Sequence, residues 1–203
     1  MLDSYEVERR QIGDRNVGAS RYASLGRRKW RAQWRPEIRE RTPQGKWVRE
    51  NLVRVADIEQ RKTNEMIGAE LGYRYVASPI IWEEPGGPET LYRVYEPTTW
   101  PGARLPHVWL GDGAAMQDRI PYEGYTLVRL GHTRADTAGL VDALRATGTS
   151  VNVLEVPDEI ARDIYGYDLL LLRPDMHVCW RGNAAPDDPA HVAGVVTGRR
   201  TLF

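Results

Sequence analysis

Cysteine is almost absent from this chain: Cys179 is the only one among 203 residues. An internal disulfide is therefore impossible, and so is a zinc site of four thiolates. No apolar run comes near the roughly 18 residues of a membrane-spanning helix, and no secretory leader pattern is read. The expected compartment is the cytoplasm, with no membrane partner. The four histidines, His107, His132, His177 and His191, lack a second ligand at helical metal-binding spacing, so no metal centre is expected. A strand followed by Gly-x-Gly-x-x-Gly is missing, as is Gly-x-Ser-x-Gly. Their absence removes the usual dinucleotide cradle and the serine-nucleophile turn. Gly111-Asp112-Gly113 follows a proline-rich stretch instead of a strand and reads as a turn.

Charge cancels only in total. The net is zero, but residues 1–72 hold 16 basic and 11 acidic side chains against 12 and 17 in the remainder. That imbalance suggests two regions in different surroundings, and it is too diffuse for a nucleic-acid partner. Seven tryptophans and ten tyrosines supply aromatic area for real cores or interfaces.

Taken in chain order, Asp3-Ser4-Tyr5-Glu6 reads as a helix start, with Asp3 as N-cap and Glu6 completing a capping box. Tyr5, Ile12 and Ala19 recur every seven residues, which predicts a thinly amphipathic helix to about Leu25. The cluster Arg27-Arg28-Lys29-Trp30-Arg31 has the chemistry to bind phosphate, with Trp30 stacking. A solvated helix end with cations at its negative pole is the favoured reading. Residues 35–46 read as a loop from Pro36, Pro43 and Gly45. Val48, Leu52, Val55 and Ile58 set one face of a second helix, continued by Met66, Ile67 and Leu71 and ended by Gly72. Tyr73 to Trp82 reads as extended and Leu91 to Tyr95 as a short strand. Residues 97–110 hold Pro97, Pro101 and Pro106 and read as a stiff connector.

From Tyr125 the pattern turns regular. Residues 125–130 predict a strand, 135–147 a helix closed by Gly148, and 151–156 a second strand. Asp158 caps a short helix that Gly166 ends. Leu169 to Leu172 then read as a strand buried on both faces. Arg173-Pro174-Asp175-Met176 is turn chemistry, and His177 to Arg181 the returning strand. Asp188-Pro189 opens a last helix that Gly198 stops. The succession β-α-β-α-β-β-α predicts an α/β fold, its first two strands parallel across a right-handed crossover and its last two an antiparallel hairpin. This is a thioredoxin-like arrangement. The domain plan is residues 1–72 helical, 73–124 an extended connector, and 125–203 the thioredoxin-like domain. A thiol-disulfide role is excluded. The turn after the first strand, Gly131 to Asp136, holds no cysteine, and Cys179 reads as a small buried hydrophobe in the returning strand.

Trp100, Arg104, His107 and Trp109 are the best remaining candidates for a functional contact, at a domain junction. The favoured reading is structural: Arg104 pairs with a carboxylate and locks the connector onto a neighbouring domain.

Four segments resemble the C-terminal part of FAD-dependent aromatic-ring hydroxylases, the flavin monooxygenases that include phenol hydroxylases and 3-(3-hydroxyphenyl)propionate hydroxylases. They are Leu2 to Arg10, Glu70 to Tyr75 with Ser78-Pro79, Pro101 to His107, and Leu172 to Asp175 through Trp180-Arg181-Gly182. The resemblance implies that residues 1–72 are the C-terminal remnant of an FAD-binding domain. It implies that residues 125–203 are a thioredoxin-like domain without redox cysteines, serving folding and subunit contacts. The full enzyme would use FAD, NAD(P)H and O2 to hydroxylate a phenolic substrate. The family's nucleotide motifs and most of its substrate pocket have no counterpart here, so no catalytic or flavin-binding residue is carried over. A truncated reading frame or a separately encoded C-terminal half is expected, inactive alone. Its partner would be a missing flavin-domain half or a further copy in a homo-oligomer such as a dimer. The alternative is a stand-alone thioredoxin-like interaction module with no enzyme activity.

Overall fold

The computed structural model describes residues 2–200, without the side chains of Leu2 and Asp3. The chain divides into two compact units, one of residues 1–11, 73–89 and 96–203, the other of residues 12–72 and 90–95.

The smaller unit is helical. It holds helix α1 (Leu2–Arg31) from Ile12 onward, α2 (Pro43–Asn64) and the short α3 (Ile67–Leu71). Asp3 lies inside α1 instead of capping it, and its side chain lies outside the described residues. The helix also runs past Leu25 to Arg31, and Gly26 marks where α2 comes close: a Cβ there would meet the Glu59 carbonyl at 2.6 Å. The antiparallel pairing of the two helices shows in Asn51 donating to Gln33 Oε1 (3.2 Å) and Thr63 Oγ1 to Ala23 O (3.4 Å). Residues 35–46 are more ordered than a loop. They form a 3-10 turn (Pro36–Arg39) and then the start of α2, where Thr42 Oγ1 accepts from Gly45 N. Thr42-Pro43 is the same cap-plus-proline signal as Asp188-Pro189. The second helix is not continuous to Gly72; it breaks after Asn64, and Gly72 closes α3 with φ −93°. Val48 is buried, but Ile58 on the same predicted face is exposed. Leu91 to Tyr95 form no strand. Their backbone is used elsewhere, as Tyr92 O accepts from Ala69 N, and Arg15 bonds the Gly68 and Ala69 carbonyls.

The larger unit contains β1 (Tyr125–Leu130), α5 (Ala138–Ala146), β2 (Val151–Val156), α6 (Glu159–Tyr165), β3 (Leu169–Leu172), β4 (Val178–Gly182) and α7 (Pro189–Val196). It also holds α4 (Met116–Arg119), a single turn that sequence pattern did not reveal. The expected β-α-β-α-β-β-α order is found. The sheet runs β2-β1-β3-β4, with β1 parallel to β2 and antiparallel to β3, and β3 antiparallel to β4. Asp158 and Asp188 cap α6 and α7 as read from sequence, and Gly166 and Gly198 take positive φ at their ends. All four leucines of β3 are fully buried. Leu170 and Leu172 meet Val128, Leu130, Tyr165 and Met116 on one side of the sheet; Leu169 and Leu171 point to the other.

The proline-rich connector is part of this core, with Leu105 and Val108 buried in it. It also covers the outer edge of β4: Gly102 N donates to Val178 O, Val178 N to Ala103 O, Leu105 N to Met176 O, and Trp82 N to Cys179 O. Such cover removes an open edge that would otherwise template pairing with another chain. Tyr73 to Trp82 form only one bridge, Arg74 to Ala103. Gly102 sits at φ +90° between Tyr75 and Val178, and a Cβ there would strike the Tyr75 carbonyl. Gly102→Ala should therefore cost at least ~1 kcal/mol. Leu170→Ala should cost ~2–5 kcal/mol through the cavity it leaves. Urea titrations should show lower midpoints for both at unchanged slope.

Candidate functional site

The turn between β3 and β4 carries a buried charge cluster. Arg173 donates to both carboxylate oxygens of Glu8, at 2.5 and 3.2 Å, and to Asp175 Oδ2 at 2.7 Å. Glu8 also accepts from Ser78 Oγ at 2.6 Å. The turn is built for this. Pro174 enters it, Met176 takes φ +63°, and the Asp175 carboxylate accepts from His177 N at 3.2 Å. The Tyr75 ring lies under the Arg173 guanidinium at 5.4 Å and beside the His177 imidazole at 4.6 Å. Burial works to raise the Asp175 carboxyl, but His177 and Arg173 outweigh it and hold that group well below the usual carboxylate range. Burial works to lower Arg173, but Glu8 and Asp175 outweigh it and push the guanidinium above its ordinary value.

His177 Nδ1 lies 3.2 Å from Asp175 O and 3.3 Å from Asp175 Oδ2. Nε2 is buried without a hydrogen-bond partner among the described residues. The Glu8 carboxylate is committed to Arg173 and Ser78 and is no free base. The cluster acts as a clamp that holds the first turns of α1 against the hairpin.

A second arginine anchors the other end of β4. Arg181 lies between the rings of Trp100 and Tyr167, at 4.5 and 4.4 Å, and grips Glu84 at 2.9 and 2.6 Å. Trp100 therefore belongs to this stack. His107 and Trp109 are brought together edge to face at 4.8 Å, with His107 Nδ1 2.9 Å from Gln117 Oε1. Arg104 joins neither group. Its backbone bridges to His177, its side chain is exposed, and it makes no ion pair among the described residues. The expected carboxylate partner of Arg104 is not found among the described residues, and Asp175 is committed to Arg173. The functional charges that residue-by-residue reading passed over are Glu8, Glu84 and Arg181. Glu8 and Arg181 were signalled only by membership of the Leu2 to Arg10 and Trp180-Arg181-Gly182 segments, and Glu84 by nothing, since pairing partners 165 and 97 residues apart leave no local pattern.

Cys179 is fully buried, burial pushes its thiol far up, and Sγ contacts Leu171 O. No group of three metal-ligating side chains occurs among the described residues. A cleft of about 350 Å³ lies between Leu110 to Asp112, Arg119 and Leu154 to Asp158. It does not suit a flavin dinucleotide. The Gly111 amide is already taken by Asp158 Oδ2 at 2.6 Å, and Asp112 is paired with Arg119. Asp112, Glu155 and Asp158 would face a pyrophosphate with like charge. The turn ahead of α5 is filled by Arg129, which bonds Ala135 O and Thr137 Oγ1.

Arg173→Met should cost ~3–5 kcal/mol by stranding the buried Glu8 carboxylate, and adding Glu8→Met should recover much of that loss; denaturant titration of both variants checks this. The acid limb of stability provides a second test. Because the folded Asp175 carboxyl titrates below its unfolded value of about 3.9, the unfolded chain binds the extra proton, and the contribution is present above that value and lost below it. Melting temperature should fall as pH drops below about 4, and Asp175→Asn should show a shallower fall.

A family profile described as aromatic-ring hydroxylase, C-terminal, matches residues 98–199. The FAD-dependent monooxygenase apdD of Emericella nidulans is 37% identical over 132 residues, 60% of this chain and 20% of that protein. Phenol 2-monooxygenase of a Pseudomonas strain is 28% identical over 170 residues, 74% of this chain and 28% of that protein. The rebeccamycin biosynthetic enzyme RebC with reduced flavin shares the fold at TM-score 0.83 and 24% identity, over 98% of this chain and 37% of that one. The flavin-dependent monooxygenase PieE, solved with FAD and substrate, matches at TM-score 0.69 and 25% identity, over 98% of this chain and 39% of that one. The chain thus spans 20% to 28% of the length of these two curated relatives. With its sheet order and the matched residues 98–199, the chain belongs to the aromatic-ring hydroxylase C-terminal family.

Proposed function

We propose that this chain is the C-terminal scaffold of an FAD-dependent monooxygenase that hydroxylates phenolic rings with NAD(P)H and O2. The observation that carries this reading is the pairing of family membership with a site whose polar groups are already spent. Glu8, Arg173 and Asp175 satisfy one another, and the amides and charges of the cleft at Gly111 are unsuited to a pyrophosphate. The chain's own residues fasten and orient elements; the flavin-binding surface is supplied by other sequence. The helices within residues 1–72 form the flavin-domain side of this scaffold. Residues 125–203 form a thioredoxin-like domain that does no thiol chemistry. In support, β1 and β2 are parallel, β3 and β4 antiparallel, and Cys179 is sealed in the core.

The purified chain should be colourless and should not oxidise NAD(P)H in the presence of phenol. Fused behind the flavin-binding part of the Pseudomonas phenol 2-monooxygenase, in place of that enzyme's own C-terminal segment, it should yield a yellow protein. Stoichiometric flavin held by the chain alone would refute the scaffold reading.

A further inference from the structure

The zero net charge conceals a focused excess. Residues 27–49 contain nine basic side chains and two acidic ones, a net of +7. All belong to the smaller unit, at the end where α1 stops, the 3-10 turn crosses over, and α2 begins. Only Lys29 and Lys46 have a carboxylate within 4.0 Å among the described residues, in Glu59 and Glu50. Arg35 and Arg49 bond backbone carbonyls of the turn. Arg27, Arg28, Arg31, Arg39 and Arg41 are exposed and have no ion pair among the described residues, with Arg31 lying over the Trp30 ring at 5.6 Å. An ordinary solvated helix end mixes signs. This one is strongly one-sided, nine cations to two acids, and it also exposes two large aromatic side chains, Trp34 at 52% and Trp47 at 59%.

We propose that this basic end of the helical hairpin docks on an anionic lipid surface. Unpaired arginines meet acidic headgroups by Coulomb attraction, each contributing at the membrane surface. Tryptophan favours the headgroup level, where its ring is sheltered and its N–H stays wet. A second copy of the same surface would be repelled. A nucleic-acid strand is disfavoured because no cleft lined by these cations is found among the described residues, whereas strand binders line a groove with stacked aromatics. The contact is peripheral, and no described helix is long and apolar enough to cross a membrane.

The full chain can be sedimented with vesicles of phosphatidylcholine plus phosphatidylglycerol, and with vesicles of phosphatidylcholine alone. Binding is expected only to the first and should weaken as salt rises. Arg27→Gln with Arg31→Gln removes two exposed charges without an ion pair among the described residues and should weaken partitioning about 25-fold, at about fivefold each, with an unchanged thermal melt. Trp34→Ala with Trp47→Ala should weaken binding while keeping its salt dependence. Equal binding to neutral vesicles, or indifference to the arginine pair, would overturn the proposal. So would release of the chain from anionic vesicles by a duplex oligonucleotide, which would assign the patch to nucleic acid.

Discussion

A guanidinium cannot be taken out of water without charged company, because its desolvation cost exceeds what neutral neighbours return. Arg173 sits in a tight turn under that constraint. Its partners come from either end of the chain: Glu8 in the first turns of α1, and Asp175 two residues on. Ser78 completes the Glu8 carboxylate, and Tyr75 lies beneath the guanidinium. Removing Glu8 or Arg173 leaves the other buried and uncompensated, and Ser78 and Tyr75 tie the segment 75–78 to the same pair. Among weak and screened surface pairs such as Lys46 with Glu50, this is the pair whose geometry and burial give it weight.

The same logic operates at the far end of β4. Arg181 is enclosed by Trp100 and Tyr167 and neutralised by Glu84. Between the two arginines, residues 102–105 hydrogen-bond along the strand edge and insert Leu105 into the core. A stretch whose three prolines forbid regular structure is thereby held as firmly as a strand. Its order derives from pairing with β4 and from two charged anchors, not from its own propensities.

These contacts bear on the scaffold role proposed above. In the larger unit Glu8, Glu84 and Asp175 are paired with arginines, the lone thiol is buried, and the turn ahead of α5 is occupied by Arg129. The smaller unit is different. Its core is thin, several of its apolar side chains are exposed, and at its basic end cations outnumber carboxylates. Such a surface is unfinished until something covers it.

Local chemistry made much of the larger unit readable in advance. Asp158 and Asp188 announced caps, Gly166 and Gly198 announced ends, and four leucines between turn residues announced a buried strand. Each signal acts within a few residues, so each survives in a single sequence. Thr42-Pro43 carried the same kind of signal and was hidden by neighbouring glycine and proline. What tertiary structure alone decided was the fate of groups whose partners are distant. The Tyr92 carbonyl pairs with α3, Gly26 lets α2 come close to α1, and Arg104 makes no ion pair among the described residues. The amino-acid sequence determined where elements begin and end. The folded chain determined which buried charges meet, because an ion pair spanning 165 residues has no local trace until the backbone brings it together.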